Sequence, residues 1–226
     1  MEFQRKGQIM QQFYPVLLKS TLFRQITAVN LAPLLAAAQP ILKTFTANTR
    51  IWQAGEQAAS FGLVGAGTVQ ILKEDAQGNR TIVATVAEAG IFGEAYAYAS
   101  TGPLPVSVDA STDTTVLFFE PQRLLNLAHL PQGEQLLSNL LQILARKSLL
   151  LNQKVEILSQ RKIADKVLTF LQLEAKRQAR QPMFLPYNRQ EMADFLGVER
   201  SALSAALSSM KKAGLIDYRK NEFTLF

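Results

Sequence analysis

Apolar positions change their period along the chain, and the sharpest pattern lies near its end. Residues 188–212, NRQEMADFLGVERSALSAALSSMKK, place Met192, Phe195 and Leu196 on one stripe at i, i+3, i+4. Leu203, Ala206, Leu207 and Met210 form a second stripe, and Gly197 between them supplies the positive φ that ends a helix. Asn188 is placed to cap the first helix and Glu191 to reach back to it as in a capping box. Ala193 is small where a second helix would cross. The spacing predicts two short helices joined by a tight turn. The face of the second helix opposite its apolar stripe carries Glu199, Arg200, Ser201, Ser204, Ala205 and Ser208. Beyond Gly214-Leu215-Ile216, two strand-like runs at 215–218 and 222–225 flank Arg219-Lys220-Asn221. This is the pattern of a winged helix-turn-helix with a basic wing tip. An ordinary helical hairpin in a core has the same spacing without the outward face.

The rest of the chain divides by period. Residues 8–39 read as helical, with Pro15 and Pro33 as interruptions. From 40 to 120, short runs rich in β-branched and aromatic residues (41–45, 50–53, 61–64, 68–73, 81–86, 106–110 and 114–119) alternate with turn signals, including a hairpin turn at Gln77-Gly78-Asn79. They predict a β-sandwich or barrel. A helical region begins at 121, and Pro131 is placed to open a longer helix. Along it, Leu137, Leu141, Leu144, Ser148, Leu151, Val155 and Leu158 keep a 4-3 rhythm, a heptad seam with one polar break. Leu136, Leu140, Ile143, Leu150 and Ile157 widen its apolar surface toward the β region. The seam reads as a dimerisation helix; a helix buried within one chain is the alternative. Residues 159–161 read as a hinge, 162–178 as an amphipathic helix, and 181–187 as an extended connection. Domain boundaries are expected at 1–130, 131–159 and 160–226.

Charge sharpens the picture. From 159 to the end there are 12 Lys+Arg against 7 Asp+Glu, whereas the first 158 residues hold 12 against 11. The basic excess sits with the helix-turn-helix, as nucleic-acid binding requires. The absence of cysteine excludes disulfides, thiolate zinc sites and cysteine-held clusters, and one histidine, His129, supports neither a metal cluster nor a Ser/His triad. His129 reads as a packing or capping residue; no metal or cofactor is expected. No apolar run approaches a bilayer span and the N-terminus lacks a signal-peptide pattern, so a cytoplasmic protein with no membrane association is expected.

The order of parts resembles the cyclic-AMP receptor protein/fumarate–nitrate regulator (Crp/Fnr) family. The best local matches are Trp52-Gln53-Ala54-Gly55-Glu56, the strand entry at 67–73, Ile91-Phe92-Gly93-Glu94, and 188–207 followed by Gly214-Leu215-Ile216. The resemblance implies an α+β chain: an N-terminal double-stranded β-helix (a jelly-roll, cyclic-nucleotide-binding-like domain), a long dimerisation helix and a C-terminal winged helix-turn-helix. It implies a homodimeric, sequence-specific transcription regulator, with double-stranded DNA bearing a two-fold symmetric operator, a second copy of itself and RNA polymerase as partners. The family's DNA-reading positions fall on Glu199, Arg200, Ser201, Ser204, Ala205 and Ser208, with Arg200 matching a base-reading arginine. Arg189, Lys211, Arg219 and Lys220 are the further DNA-contact candidates. Where cyclic-AMP regulators place a glutamate and an arginine, this chain has Ser201 and Ala205, so a different operator is expected.

The effector cassette departs further. Gly93-Glu94 is present, but the Arg-Ser pair that grips a cyclic phosphate is replaced within Gly102-Pro103-Leu104-Pro105-Val106-Ser107. A cyclic nucleotide is therefore not expected. A less polar small-molecule effector, of unknown identity, would meet Phe92, Gly93, Glu94, Tyr96 and Tyr98, the two tyrosines alternating with alanines as if facing one way. Regulation without a ligand is the alternative there. For the whole chain, the alternative is a ligand receptor whose helix-turn-helix makes protein contacts. An enzyme has little support: Glu94 with Asp109 or Asp113 makes a carboxylate pair only nominally.

Overall fold

The structure is a computed structural model that describes residues 10–74, 77, 80–99 and 102–226. It separates into two compact units, Met1–Ala145 and Arg146–Phe226, and one helix runs through the boundary between them.

The first unit opens with α1 (Tyr14–Lys19), a 3-10 turn at Thr21–Phe23 and α2 (Ala28–Ala38). Pro15 starts α1, but Pro33 lies inside α2 rather than interrupting it. The carbonyl that Pro33 leaves without its helical partner belongs to Val29, on a residue 84% exposed, where water can satisfy it. Eight strands follow: β1 (Ile41–Phe45), β2 (Arg50–Trp52), β3 (Phe61–Ala66), β4 (Thr68–Glu74), β5 (Arg80–Ala87), β6 (Ile91–Phe92), β7 (Ser107–Ala110) and β8 (Thr114–Phe119). They form two antiparallel four-stranded sheets, ordered β1-β8-β3-β6 and β2-β7-β4-β5. Gly78 and Asn79 of the expected hairpin turn lie outside the described residues; on either side, Glu74 pairs with Arg80.

The alternation of side chains along β3 and β8 builds two cores at once. Phe61, Leu63, Leu117 and Phe119 face the helices, while Val64, Val116 and Phe118 face the interior of the β-roll with Val69, Phe92 and Val108. Both strands are therefore almost wholly buried, and neither alternates polar with apolar residues along its length. A short helix α3 (Glu94–Ala99) separates β6 from β7, and α4 (Pro121–Leu125) follows β8.

The long helix α5 spans Gly133–Ser159. It does not start at Pro131, because Gln132 adopts a left-handed conformation and turns the chain before the first helical residue. Gln132 instead ties this corner to the N-terminal helices: its Oε1 accepts the Thr27 N–H at 2.8 Å and its Nε2 donates to the Gln25 carbonyl at 3.0 Å. Leu136, Leu140 and Ile143 are buried in the helix-facing core, and the buried amide of Asn139 donates to the Leu22 and Arg24 carbonyls.

In the second unit, the last turns of α5 join α6 (Ile163–Gln178), β9 (Met183–Phe184), α7 (Arg189–Leu196), α8 (Arg200–Lys212), β10 (Ile216–Arg219) and β11 (Glu222–Leu225). The strands form a sheet in the order β10-β11-β9. Ile157, Val167, Phe170, Met192, Leu196, Leu203, Leu207 and Phe223 share its core. No helix among the described residues is long and apolar enough to cross a membrane.

Candidate nucleic-acid interface and effector region

Asn188 caps α7 as its sequence requires: its side chain accepts the Glu191 N–H at 2.9 Å, and the Glu191 carboxylate accepts the Asn188 N–H at 2.7 Å. Gly197 ends the helix at φ 61°. Burial of Leu203, Leu207 and Met210 fixes the rotation of α8, which leaves Arg200, Ser201, Ser204, Ala205 and Ser208 exposed on the opposite side. Glu199 is the residue before α8, and its side chain makes no cap hydrogen bond to the first amide groups of α8. The wing turn is two residues long, Arg219 pairing with Glu222, and Lys220 sits in it at φ 54°.

The six cations proposed from sequence or flanking it fall into two groups. Arg189 donates to the Lys220 carbonyl at 3.0 Å and lies 5.1 Å from the ring centres of Tyr218 and Phe223. Lys211 pairs with Asp217, donates to the Tyr218 carbonyl at 3.4 Å and sits over the Tyr218 ring. The hydrogen bond from Lys211, with help from the Tyr218 amide, holds the Asp217 carboxyl below its ordinary value. These two cations brace the wing against α7 and α8. Arg200, Lys212, Arg219 and Lys220 are instead exposed side chains with no ion pair to another described residue.

The turn of the hairpin is held from below by residues that sequence reasoning missed. Lys154 on α5 donates to the Phe195 carbonyl and lies 3.6 Å from that ring's centre, and Lys166 on α6 donates to the Leu196 carbonyl at 3.2 Å. Two ammonium groups thus meet the carbonyl end of α7, where the helix dipole favours them. Burial, then the charge of Lys166, lowers the Lys154 pKa. Two lysines on separate helices, 12 positions apart, give no periodic signal in sequence.

On α5, Leu141, Leu149, Leu150, Leu151, Val155 and Leu158 are 41–67% exposed, Leu137 and Leu144 are half-buried, and Ser148 is exposed. Leu150 is therefore exposed rather than part of a buried face, whereas Ile157 enters the core of the second unit.

The five effector candidates are not brought together in one lining. Because residues 94–99 form a helix, Tyr96 and Tyr98 are about 200° apart around it, which corrects the reading that they face one way. Phe92 turns into the β-roll interior against Trp52 (5.1 Å between ring centres) and Phe118, while Tyr98 packs against Phe61 in the helix-facing core. The Tyr98 hydroxyl is enclosed and makes no hydrogen bond to the described residues, and burial pushes its pKa up to about 12. Glu94 is buried in the first turn of α3. Gly93 lies under the Trp52 ring at φ 77°, and a Cβ there would meet that ring at 2.5 Å. Leu104 is buried and its backbone is bonded to Gly55 and Glu56. An arginine does stand beside this cassette, Arg50. Its guanidinium is occupied by Asp109, Glu74, Gln53 and Ser107. His129 is exposed on an open surface groove with Gln132, Glu134 and Ser138, rather than packed.

A β-roll followed by a long helix and a winged helix-turn-helix defines a class of two-part regulators, and the comparisons identify the family. The family model for the cyclic nucleotide-binding domain matches residues 42–129, and that for the Crp-like helix-turn-helix domain matches residues 165–225. Similar solved folds include the catabolite activator protein of Thermus thermophilus (TM-score 0.57, 20% identity, covering 92% of this chain and 94% of that one). CprK complexed with OCPA is similar at TM-score 0.62 and 16% identity, over 85% and 90% of the two chains. The sensor domain of the transcriptional regulator DNR from Pseudomonas aeruginosa is similar at TM-score 0.52 and 25% identity, over 72% and 99%. No curated protein sequence matches the chain. The chain belongs to the Crp/Fnr family of DNA-binding transcription regulators.

Proposed function

We propose that the protein works as a homodimer that reads a two-fold symmetric operator through α8. The observation that carries this reading is the outward face of α8: Arg200, Ser201, Ser204, Ala205 and Ser208 are exposed together, opposite the buried Leu203, Leu207 and Met210. Short side chains allow the helix to enter a major groove, and Arg200 at its first turn has the reach and donor geometry for a guanine edge. Arg219 and Lys220 on the wing, with Lys212, meet phosphates. Arg189 and Lys211 act by holding the wing in place, since both are already engaged there. The exposed apolar seam of α5 takes a second copy, which sets two recognition helices for two half-sites. Such a protein acts in the cytoplasm, with RNA polymerase as its downstream partner and without catalytic activity of its own.

A cyclic nucleotide is disfavoured as effector. Leu104 is buried within the cassette, and the nearby Arg50 and Arg80 are both paired with the carboxylates of Glu74 and Asp109, so a phosphate there would be desolvated without a free counter-charge. An uncharged ligand near Trp52, Gly93 and Glu94, or no ligand, fits this chemistry.

The direct test is a mobility-shift titration on duplexes selected from a random pool, with wild type and Arg200→Ala. Arg200→Ala is expected to weaken selected duplexes by about 1–3 kcal/mol and to lose discrimination at one base pair. Equal losses on selected and random duplexes would remove Arg200 from base reading.

A further inference from the structure

Arg200, Ser204 and Ser208 stand one above another on α8 at i, i+4, i+8, and all three are exposed. The two serines are not equivalent to free hydroxyls. Ser204 Oγ lies 2.9 Å from the Arg200 carbonyl and Ser208 Oγ lies 3.0 Å from the Ser204 carbonyl. A carbonyl can only accept, so each hydroxyl gives its single proton inward to the turn before it. What remains on the outer side is lone pairs. The stripe therefore has a fixed polarity, with guanidinium donors at its amino end and two acceptors behind them. Ser201 makes no such bond to the described residues, and its hydroxyl can turn either way.

Every base pair shows one amino group in the major groove, adenine N6 or cytosine N4, and keto or ring-nitrogen acceptors on the other base. An acceptor-only side chain cannot tell A·T from G·C, but it can tell which strand carries the amino base. We propose that Ser204 and Ser208 are specificity residues that require an amino base, adenine or cytosine, on the strand they face, in series with a keto base read by Arg200. This rests on the reading of α8 as the DNA-recognition helix. Turning a hydroxyl outward to serve guanine or thymine would break the internal bond, so the wrong strand orientation is penalised even though no atom clashes.

The test uses the full chain and the duplexes selected from the random pool. Each amino group of the half-site is deleted in turn, with purine replacing adenine and 2-pyrimidinone replacing cytosine. Wild type, Ser204→Ala and Ser208→Ala are then compared on each duplex. Wild type is expected to lose about threefold to tenfold in affinity at two positions, with Ser204→Ala insensitive at one and Ser208→Ala at the other. The variants serve as references that cancel any weakening of the base pair itself. Equal sensitivity of wild type and both variants at every position overturns the proposal while leaving sequence-specific binding intact. Failure to select any duplex overturns the DNA-reading helix itself, a separate result.

Discussion

At the scale of single residues, polarity of environment decides more than residue type. Tyr98 has an enclosed hydroxyl without a hydrogen-bond partner among the described residues, and Tyr98→Phe removes a desolvated group at no loss of ring packing. The variant is expected to be more stable by about 1 kcal/mol in urea titration. The sign with pH follows from its raised pKa. The unfolded chain ionises from 10.0 upward and the folded chain near about 12, so the stability Tyr98 contributes is present below pH 10 and lost as pH rises toward 12. Tyr98→Phe should lose less stability over that alkaline interval; parallel curves would contradict the assignment. Lys220 offers a second residue-scale test. It occupies a left-handed wing position that glycine adopts freely, so Lys220→Gly removes a charge without straining the turn. Affinity should fall alike on all duplexes, and the slope of log K against log salt should shrink by about 1. An unchanged slope would take Lys220 off the phosphates.

At the scale of elements, the helices and strands with a period were legible and those without were not. The capping box of α7, the left-handed Gly197 and the ends of β1 and β8 agree with the residues that announced them. By contrast, α3 looks alternating in sequence because Ala95, Tyr96, Ala97 and Tyr98 alternate over fewer than two helical turns. β6 and β9 are two residues long and have no period to show. The start of α5 is not legible at Pro131, because a proline suits a first helical position while the turn at Gln132 is held by hydrogen bonds to residues more than a hundred positions away. Asn188→Ala should cost about 1 kcal/mol of stability through loss of the α7 cap. A loss confined to fraying of α7, with global unfolding unchanged in hydrogen exchange, would show that the hairpin does not need its cap to hold.

At the scale of the molecule, the order of parts carried the functional reading, and the site geometry refined it. The sequence offers Arg189, Arg200, Lys211, Arg219 and Lys220 alike as DNA contacts. Packing divides them, because aromatic rings and carbonyls of the wing engage Arg189 and Lys211 but leave Arg200, Arg219 and Lys220 outward. The leucine-rich side of α5 sets the expectation for assembly. Leu151→Glu with Val155→Glu should shift sedimentation from dimer to monomer and reduce operator binding more than binding to a single half-site. A dimer that survives both charges would place the interface elsewhere.

Trp52 is the chain's one tryptophan, and its ring covers Gly93 and meets Phe92 and Phe118. All indole emission therefore originates in the sensor unit and none in the DNA-binding unit. The protein carries a built-in optical probe whose signal needs no labelling. A small molecule that enters beside Gly93 should change that emission directly. DNA added alone, which touches no tryptophan, should change it only when the β-roll responds to occupancy of the recognition helix.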